Sequence, residues 1–531
     1  MAETGLEVKE LNIVAKVRSI ATQFPRHMAI HCGNRTVDFA TFNSLSDRVA
    51  GHLRAAGIHK GDRVALYCVN SDAFAIAYFG IVKAGAIVVP VNVLYKPNEV
   101  IYILNDAQAA GLIYYDLFTP AVNVIRPQVE GLKTFVCIGE NASDPRDLRW
   151  GMMLSTESPA PAVEVDAHED LVAILYTSGT TGNPKGAMLT HSNLANNTQS
   201  IKEAMQFEPG KEVLLVVLPM FHSFAATAGM LTPLLHGLTF APVPKFDRHL
   251  VAQSIAATQA TIFLGVPTMF NVLMTLPDEE VASFRSLRYC VSGGAAMPVN
   301  LMRRFEERFQ LPIYEGDGPT ECSPVTCVNP IGGVRKPGSV GRPVPRVDMS
   351  IRDAAGNPVP DGEVGEICVR GPNVMKGYWR RPAETAEVFF GEWLRTGDLG
   401  YRDVDGYFFM VDRIKDMVIV NGMNVYPRMV EEVLFSHPHV LDAAVVGEPH
   451  DLHGEIPVAH IVFKPGESAE ASAIRRFCGE RLGSHQVPRK IVICDQLPKN
   501  AAGKVLKREL RKTGEIERGV VTSRASGADP A

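Results

Sequence analysis

The sequence predicts an α/β protein: a large N-terminal domain of layered α/β subdomains plus a β subdomain, followed by a small C-terminal α+β domain. Chain length is the first observation behind this, because 531 residues exceed what one compact core supports. The second is the alternation, from about residue 12 to 410, of helical patterns with short β-branched runs. The third is a double change of character, after residue 340 and again near Asp412.

The runs RVALYCV, AIVVPV, LVAILYT, VLLVVL, ATIFLGV and LRYCVSGG are continuously apolar, the pattern of parallel strands covered on both faces. Ala73 to Val91 is nearly as long and apolar as a membrane span. Lys83 in its middle, Gly85 after it and Pro90 near its end predict instead a buried helix turning into a buried strand, so no integral membrane segment is expected. The segment GRPVPRVDMSIRDAAGNPVPDGEVGEICVRG has strand–turn–strand punctuation, with GN and DG marking turns, and predicts the antiparallel β subdomain. DRIKD, Asp412 to Asp416, leads into a further α/β stretch. There a helix is expected over Arg428 to Ser436 and strands over Leu441 to Val446 and Val458 to Phe463. The expected division is 1–413 for the N-terminal domain, 414–513 for the C-terminal domain and 514–531 for a flexible tail with little that could pack.

Hydrophobic residues make up 46% and charged residues 21%, enough for large cores and too little polarity for extensive disorder. A net charge of -5 gives no global pull toward nucleic acid or an anionic membrane, so no nucleic-acid partner is expected and any polyanion must be bound at a local site. Nine cysteines are scattered singly with no C-x-x-C, which argues against zinc and disulfides and fits a reducing cytoplasm. MAETGLEVKELN at the start is mixed in charge without an apolar core, unlike a signal peptide. Monomer and homodimer both stay open.

Chemistry concentrates first in Tyr176 to Gly186, YTSGTTGNPKG, which follows the apolar strand LVAIL. Its small residues let backbone approach a ligand closely, and the hydroxyls of Thr177, Ser178, Thr180 and Thr181, with exposed N–H groups, can donate to phosphate oxygens. Lys185 adds a cation. The P-loop pattern requires Ser or Thr directly after its lysine, and Gly186 stands there, so a kinase-type or GTPase-type loop is disfavoured.

This string resembles the signature loop of the adenylate-forming superfamily, which comprises acyl-CoA synthetases, luciferases and nonribosomal adenylation domains. PMFHSFA (Pro219 to Ala225), GVPTM (Gly265 to Met269), SGGAAMP (Ser292 to Pro298), YEGDGPTE (Tyr314 to Glu321) and GRP (Gly341 to Pro343) resemble further segments of that family in order. TGDLGYRDVDGY (Thr396 to Tyr407), DRIKD, NGMNVYP (Asn421 to Pro427) and PKNAAGKVLK (Pro498 to Lys507) complete the series, so the resemblance covers nearly the whole chain.

The resemblance implies a role for each motif. Thr177, Ser178, Gly179, Thr180, Thr181, Gly182 and Lys185 would hold the β- and γ-phosphates of ATP. Gly294 and Ala295, with Glu315, Gly316, Asp317 and Gly318, would line the adenine pocket. Thr320 would contact the α-phosphate. Glu321 would bind magnesium, whose oxygen shell is largely completed by phosphate and water. Asp398 would accept both ribose hydroxyls, with Arg413 beside the ribose and phosphate. Lys504 would be the catalytic lysine, set against the charge that builds on the α-phosphate and the attacking carboxylate. Lys507 and Lys512 nearby read as ordinary solvated lysines. In the family the C-terminal domain rotates after adenylation, and its pivot matches Lys415. Asn421, Gly422 and Met423 would then line the path of coenzyme A. His222 would gate the carboxylate beside an acyl pocket formed with Phe221, Val266 and Gly294. Asp317 departs from the pattern: the family usually has a tyrosine there, stacked on adenine. Either another ring, such as that of Tyr314, supplies the stacking, or an acidic group hydrogen-bonds to the purine.

GPNVMKGYW (Gly371 to Trp379) and NGMNVYP look most like bacterial fatty-acyl-CoA ligases. The resemblance therefore implies an AMP-forming carboxylic acid–CoA ligase using ATP, Mg2+ and coenzyme A. Its expected acid is a medium- or long-chain fatty acid or an alicyclic one, since apolar pockets need few polar groups. An aryl or hydroxycinnamate ligase is the runner-up. A free-standing enzyme that loads a carrier protein also fits the motifs. A non-catalytic nucleotide-binding regulator is a reading of a different class, and Lys185, Glu321, Asp398 and Lys504 together argue against it.

Overall fold

The computed structural model describes residues 8–177, 183–499 and 505–511. The chain forms two compact units: Met1–Met297, Leu301–Met349 and Cys368–Arg395 make the first, and Pro298–Asn300, Ser350–Ile367 and Thr396–Ala531 the second.

In the first unit the apolar runs become strands of two large sheets. A nine-stranded sheet takes the order Arg342–Pro343, Cys327–Val328, Ile313–Asp317, Tyr289–Ser292, Ile262–Gly265, Val213–Val216, Thr239–Pro242, Met28–Cys32, Arg35–Asp38. Its six central strands, from Ile313–Asp317 to Met28–Cys32, are parallel, and antiparallel strands close both edges. An eight-stranded sheet takes the order Gly377–Tyr378, Lys185–Thr190, Leu171–Thr177, Ile87–Pro90, Arg63–Tyr67, Ala109–Tyr115, Thr134–Ile138, Leu148–Arg149. The helix Pro97–Asp106 lays Val100, Ile103 and Leu104 onto this sheet, against Val89, Leu112 and Ile174, the i, i+3, i+4 stripe of a core-facing helix.

Ala73 to Val91 lies in the core. Ser71 caps the helix Asp72–Lys83 by accepting the Phe74 N–H at 3.2 Å, and the strand Ile87–Pro90 is buried throughout. Lys83 reaches out of this core to donate to Asn43 Oδ1 at 2.7 Å and lies 3.0 Å from Asp47 Oδ1. A buried ammonium needs such partners. No helix among the described residues is long and apolar enough to cross a membrane.

The boundary between the units falls within strands Asp348–Arg352, Gly365–Arg370 and Trp393–Arg402 of the β subdomain. In the second unit a five-stranded sheet takes the order Met423–Val425, Val418–Val420, Gly454–Phe463, Val440–His450, with Lys490–Ile493 parallel to Gly454–Phe463. Residues alternate between its faces as strand geometry requires. Ala443, Val445, Ala459 and Ile461 meet Val430 and Leu434 of the helix Pro427–Phe435 and Ile474 and Cys478 of the helix Ala471–Gly479. Ala444, Val446, Val458 and Val462 meet Leu497 and Leu510 on the other face. The expected tail 514–531 lies outside the described residues.

Candidate active site

Four neighbouring parallel strands of the nine-stranded sheet run in register, with Val216 beside Leu264, Leu264 beside Val291, and Val291 beside Tyr314. Their carboxyl ends therefore lie together, and open α/β sheets bind ligands at that end. The chain leaves them through Phe221 and His222, Val266, Gly294 and Ala295, and the segment from Glu315 to Glu321. All of these are motif residues, drawn from segments up to 100 residues apart in the chain.

Hydrogen bonds tie these exits to one another. Ser223 Oγ, buried, lies 3.0 Å from Thr320 Oγ1, which links the PMFHSFA turn to the Thr-Glu pair. His222 donates its N–H to the Pro219 carbonyl at 3.0 Å, and its Nδ1 accepts the Phe224 N–H at 3.4 Å. Glu315 is buried, and its Oε1 accepts the Met297 N–H at 2.9 Å, so it folds the SGGAAMP loop onto its strand. A Cβ on Gly294, whose φ is +75°, would lie 3.8 Å from Val266 Cγ1, and one on Gly293 would lie 3.2 Å from the Phe224 ring. The ring packed against the glycine turn is thus that of Phe224.

Gly316 and Gly318 are dictated by close backbone approach: a Cβ would sit 2.8 Å from the Cys327 carbonyl oxygen in one case and 1.7 Å from that of Pro324 in the other. The Asp317 carbonyl accepts both the N–H and the hydroxyl of Thr326 at 3.0 Å. Tyr314 lies apart from Asp317, the position where the family has its ring. Strand alternation puts it on the face opposite Glu315 and Asp317, where it packs edge-on against Tyr289 and lies 5.2 Å below the Arg335 guanidinium.

Thr177 and Lys185, which flank the expected phosphate loop, pair antiparallel. Ser178, Gly179, Thr180, Thr181 and Gly182 lie outside the described residues. Both stalks of the loop are gripped by the helix Pro97–Asp106. Tyr176 donates its hydroxyl to Asp106 Oδ2 at 2.6 Å, and the Pro184 carbonyl accepts from the Tyr102 hydroxyl at 3.3 Å. Asp106 also pairs with Arg381 at 2.8 Å, and its carbonyl accepts the Trp379 indole N–H at 3.2 Å.

Tyr378 connects that hairpin to the Thr-Glu pair. Its strand adds to the sheet beside Lys185–Thr190, with Tyr378 opposite Ala187. Its hydroxyl donates to Glu321 Oε1 at 2.8 Å, while the Lys185 ammonium lies 5.4 Å from its ring centroid. Burial, reinforced by the Glu321 charge, pushes the phenol pKa up, so the hydroxyl keeps its proton. Among the described residues no group of three or more His, Cys, Asp or Glu converges as a metal cage. A lone carboxylate such as Glu321 fits magnesium, which keeps waters and substrate phosphates and takes only one or two protein carboxylates. Tyr378, Ser223, Phe224 and Asp106 touch the candidate residues or their chain neighbours although no motif reading points to them individually. GYW within GPNVMKGYW is the one signal that leads to Tyr378.

The second unit carries the remaining candidates. Asp398 is buried opposite Arg413, whose Nε lies 2.9 Å from Oδ1 without an aligned hydrogen bond to it. A buried carboxylate oxygen lacking an aligned donor suits a ligand hydroxyl. Lys415 sits half-buried in a single turn, Ile414–Asp416, and burial together with Arg413 lowers its pKa against the pull of Asp416 and Asp398. Arg511 donates to Asp416 Oδ1 at 2.9 Å. Asn421 and Gly422, with φ of +52° and +78°, form the tight hairpin turn before Met423, which is exposed. Two central residues with positive φ mark the Asn-Gly type I′ turn, and that alone requires the glycine. Lys507 is not the solvated lysine expected: it pairs with Glu431 at 2.8 Å, and the Glu431 and Asp412 charges raise its pKa against burial. Lys504 and Lys512 lie outside the described residues.

Comparison with known proteins places this geometry. The AMP-binding enzyme family matches residues 17–379, and the AMP-binding enzyme C-terminal domain matches residues 429–504. A long-chain-fatty-acid–CoA ligase of Bacillus subtilis (strain 168) is 35% identical over 516 residues, covering 92% of each chain. A feruloyl-CoA synthase of Amycolatopsis sp. is 36% identical over 497 residues, covering 93% of this chain and 97% of that one. The solved structure of the anthranilate CoA ligase AuaEII in complex with anthranoyl-AMP is similar with a TM-score of 0.90 at 30% identity, covering 98% of this chain and 100% of that one. With Lys185, Thr320 and Glu321 joined at one end of its sheets, the chain belongs to the AMP-binding enzyme family and is an adenylate-forming acid–CoA ligase.

Proposed function

We propose that this ligase activates a medium- or long-chain fatty acid or an alicyclic acid, and that the residues joined through Tyr378 and Ser223 are its adenylation centre. The observation that carries the second part is that joining: Lys185 and the adjacent pair Thr320–Glu321 come from motifs far apart in the chain, and Tyr378 touches both, its ring facing Lys185 and its hydroxyl donating to Glu321, while Ser223 ties Thr320 to the PMFHSFA turn. Bound magnesium would supply charge neutralisation on the phosphates, held by Glu321. Lys185 and the loop hydroxyls orient the β- and γ-phosphates, and Thr320 orients the α-phosphate. The substrate carboxylate attacks the α-phosphorus, the bond to the bridging oxygen breaks, and pyrophosphate leaves with the electron pair. Lys504 stabilises the charge developing on the carboxylate and α-phosphate oxygens. Asp398 accepts the ribose hydroxyls, with Arg413 beside it. The thiol of coenzyme A, approaching along Asn421 to Met423, then attacks the acyl carbonyl and AMP departs.

Two steps around one adenylate call for two arrangements. The domain boundary at 413/414, with Lys415 as pivot and the C-terminal domain over 414–513, serves that exchange; hinges are a few residues that absorb a backbone change. The apolar side chains of Phe221 and Val266, the latter next to Gly294, support an aliphatic acid. An aryl acid is the second reading, favoured by the likeness to a feruloyl-CoA synthase and an anthranilate ligase. Nine free cysteines fit work in the reducing cytoplasm.

The lysine assignment is tested by Lys504→Ala. Acyl-adenylate formation is expected to fall by on the order of 10²-fold or more, while thioester synthesis from supplied acyl-adenylate continues. Equal loss of both steps contradicts the assignment.

A further inference from the structure

Glu321 carries a carboxylate on a flexible stem, and a glutamate used as a single metal ligand must be held in one orientation by something else. The Tyr378 hydroxyl, donating to Oε1 at 2.8 Å, is the described side chain that does this. A second link fastens the same residue through its backbone: the Met375 N–H donates to the Glu321 carbonyl at 2.7 Å. The strand Gly377–Tyr378 is itself fixed to the phosphate-loop hairpin, with Gly377 opposite Met188 and the Trp379 N–H donating to the Gly186 carbonyl at 2.7 Å. On the ring face of Tyr378 stands the Lys185 ammonium, 5.4 Å from the centroid, within the range of a cation–π contact.

We propose that Tyr378 is a positioning residue of the adenylation centre, its hydroxyl orienting the Glu321 carboxylate toward magnesium while its ring seats Lys185 toward the terminal phosphates. This rests on the reading of Glu321 as the magnesium ligand. One oxygen of the carboxylate accepts from the phenol and the other is left wholly open to the metal, and a hydroxyl donor to a charged acceptor is among the stronger orienting contacts. The two functions separate chemically, because phenylalanine keeps the ring and loses the donor.

The test compares the full-length protein with Tyr378→Phe, Glu321→Gln and the double variant. Binding of Mn2+ is followed by electron paramagnetic resonance in the presence of ATP, and acid-dependent pyrophosphate release is measured over a magnesium titration. Tyr378→Phe is expected to weaken Mn2+ binding and raise the half-saturating magnesium concentration by roughly 10-fold, with kcat at saturating metal falling less than about 3-fold. In the Glu321→Gln background the same change is expected to add nothing, since the hydroxyl acts through that carboxylate. Unchanged metal binding in Tyr378→Phe, with Glu321→Gln impaired, overturns the proposal alone. Unchanged metal binding in Glu321→Gln overturns the assignment of the metal ligand and the proposal with it. Should Tyr378→Phe fold poorly, Tyr378→His restores a donor and is expected to recover metal binding; failure to recover contradicts an orienting hydroxyl.

Discussion

Glu321 and Asp398 are both carboxylates in acyl-CoA ligase motifs, yet their surroundings suit different partners. Glu321 is half-buried with one oxygen accepting from a phenol, which leaves acceptor capacity for a cation. Asp398 is buried beside an arginine, which suits neutral hydroxyl donors better than a second cation. Motif order makes both legible in the sequence. The Tyr378 hydroxyl on Glu321 is not legible there, because it acquires its meaning only when distant segments meet. Lys507 misleads for the same reason: nothing local to PKNAAGKVLK reveals that Glu431 and Asp412 wait for its charge. His191 illustrates the opposite case, a buried histidine with no catalytic motif. Its Nδ1 has no partner, and burial pulls its pKa down to about 4, while the unfolded chain titrates near 6.5. The unfolded state therefore binds the proton first, and stability is lost as pH falls from 6.5 toward 4, by on the order of 3 kcal/mol over that interval. Thermal melting across that range is expected to show a shallower acid loss in His191→Asn than in the parent; identical profiles contradict this.

At the scale of elements, the strands are legible because continuous apolar runs have few other uses in a chain rich in helical patterns. The helix expected over Arg428 to Ser436 lies within one residue of its observed span, Pro427–Phe435. The π-helical stretch Ala225–Leu231 is not legible. It differs from an α-helix only in which carbonyl each N–H reaches, as when the Thr232 N–H and hydroxyl both return to the Thr227 carbonyl. Nor does the sequence reveal that one helix, Pro97–Asp106, grips both stalks of the phosphate loop. Asp106→Ala removes the acceptor of Tyr176 and Arg381, and is expected to cost on the order of 2 kcal/mol of stability. Because the loop loses one anchor, the KM for ATP is expected to rise roughly 10-fold, with a smaller change in the KM for the acid. An equal rise for both substrates contradicts the anchoring role.

At the scale of the molecule, two units with separate hydrophobic cores divide the ligase's residues between them. Of the residues proposed for the reaction, Lys185, Thr320, Glu321 and His222 lie in the first, and Asp398, Arg413, Lys415 and the Asn421–Met423 turn in the second. Which acid enters depends on the depth and contour of its pocket, and no short motif encodes such a shape. The reaction class is encoded more directly, in the order of the family's motifs along the chain. An adenylate-forming ligase makes its acyl-adenylate before any thiol is needed, and acid-dependent exchange of labelled pyrophosphate into ATP, with magnesium and without coenzyme A, measures that step. Exchange that requires a carboxylic acid and is strongest with aliphatic chains is the predicted result. No exchange with any acid, or release of ADP and phosphate in place of AMP and pyrophosphate, contradicts it.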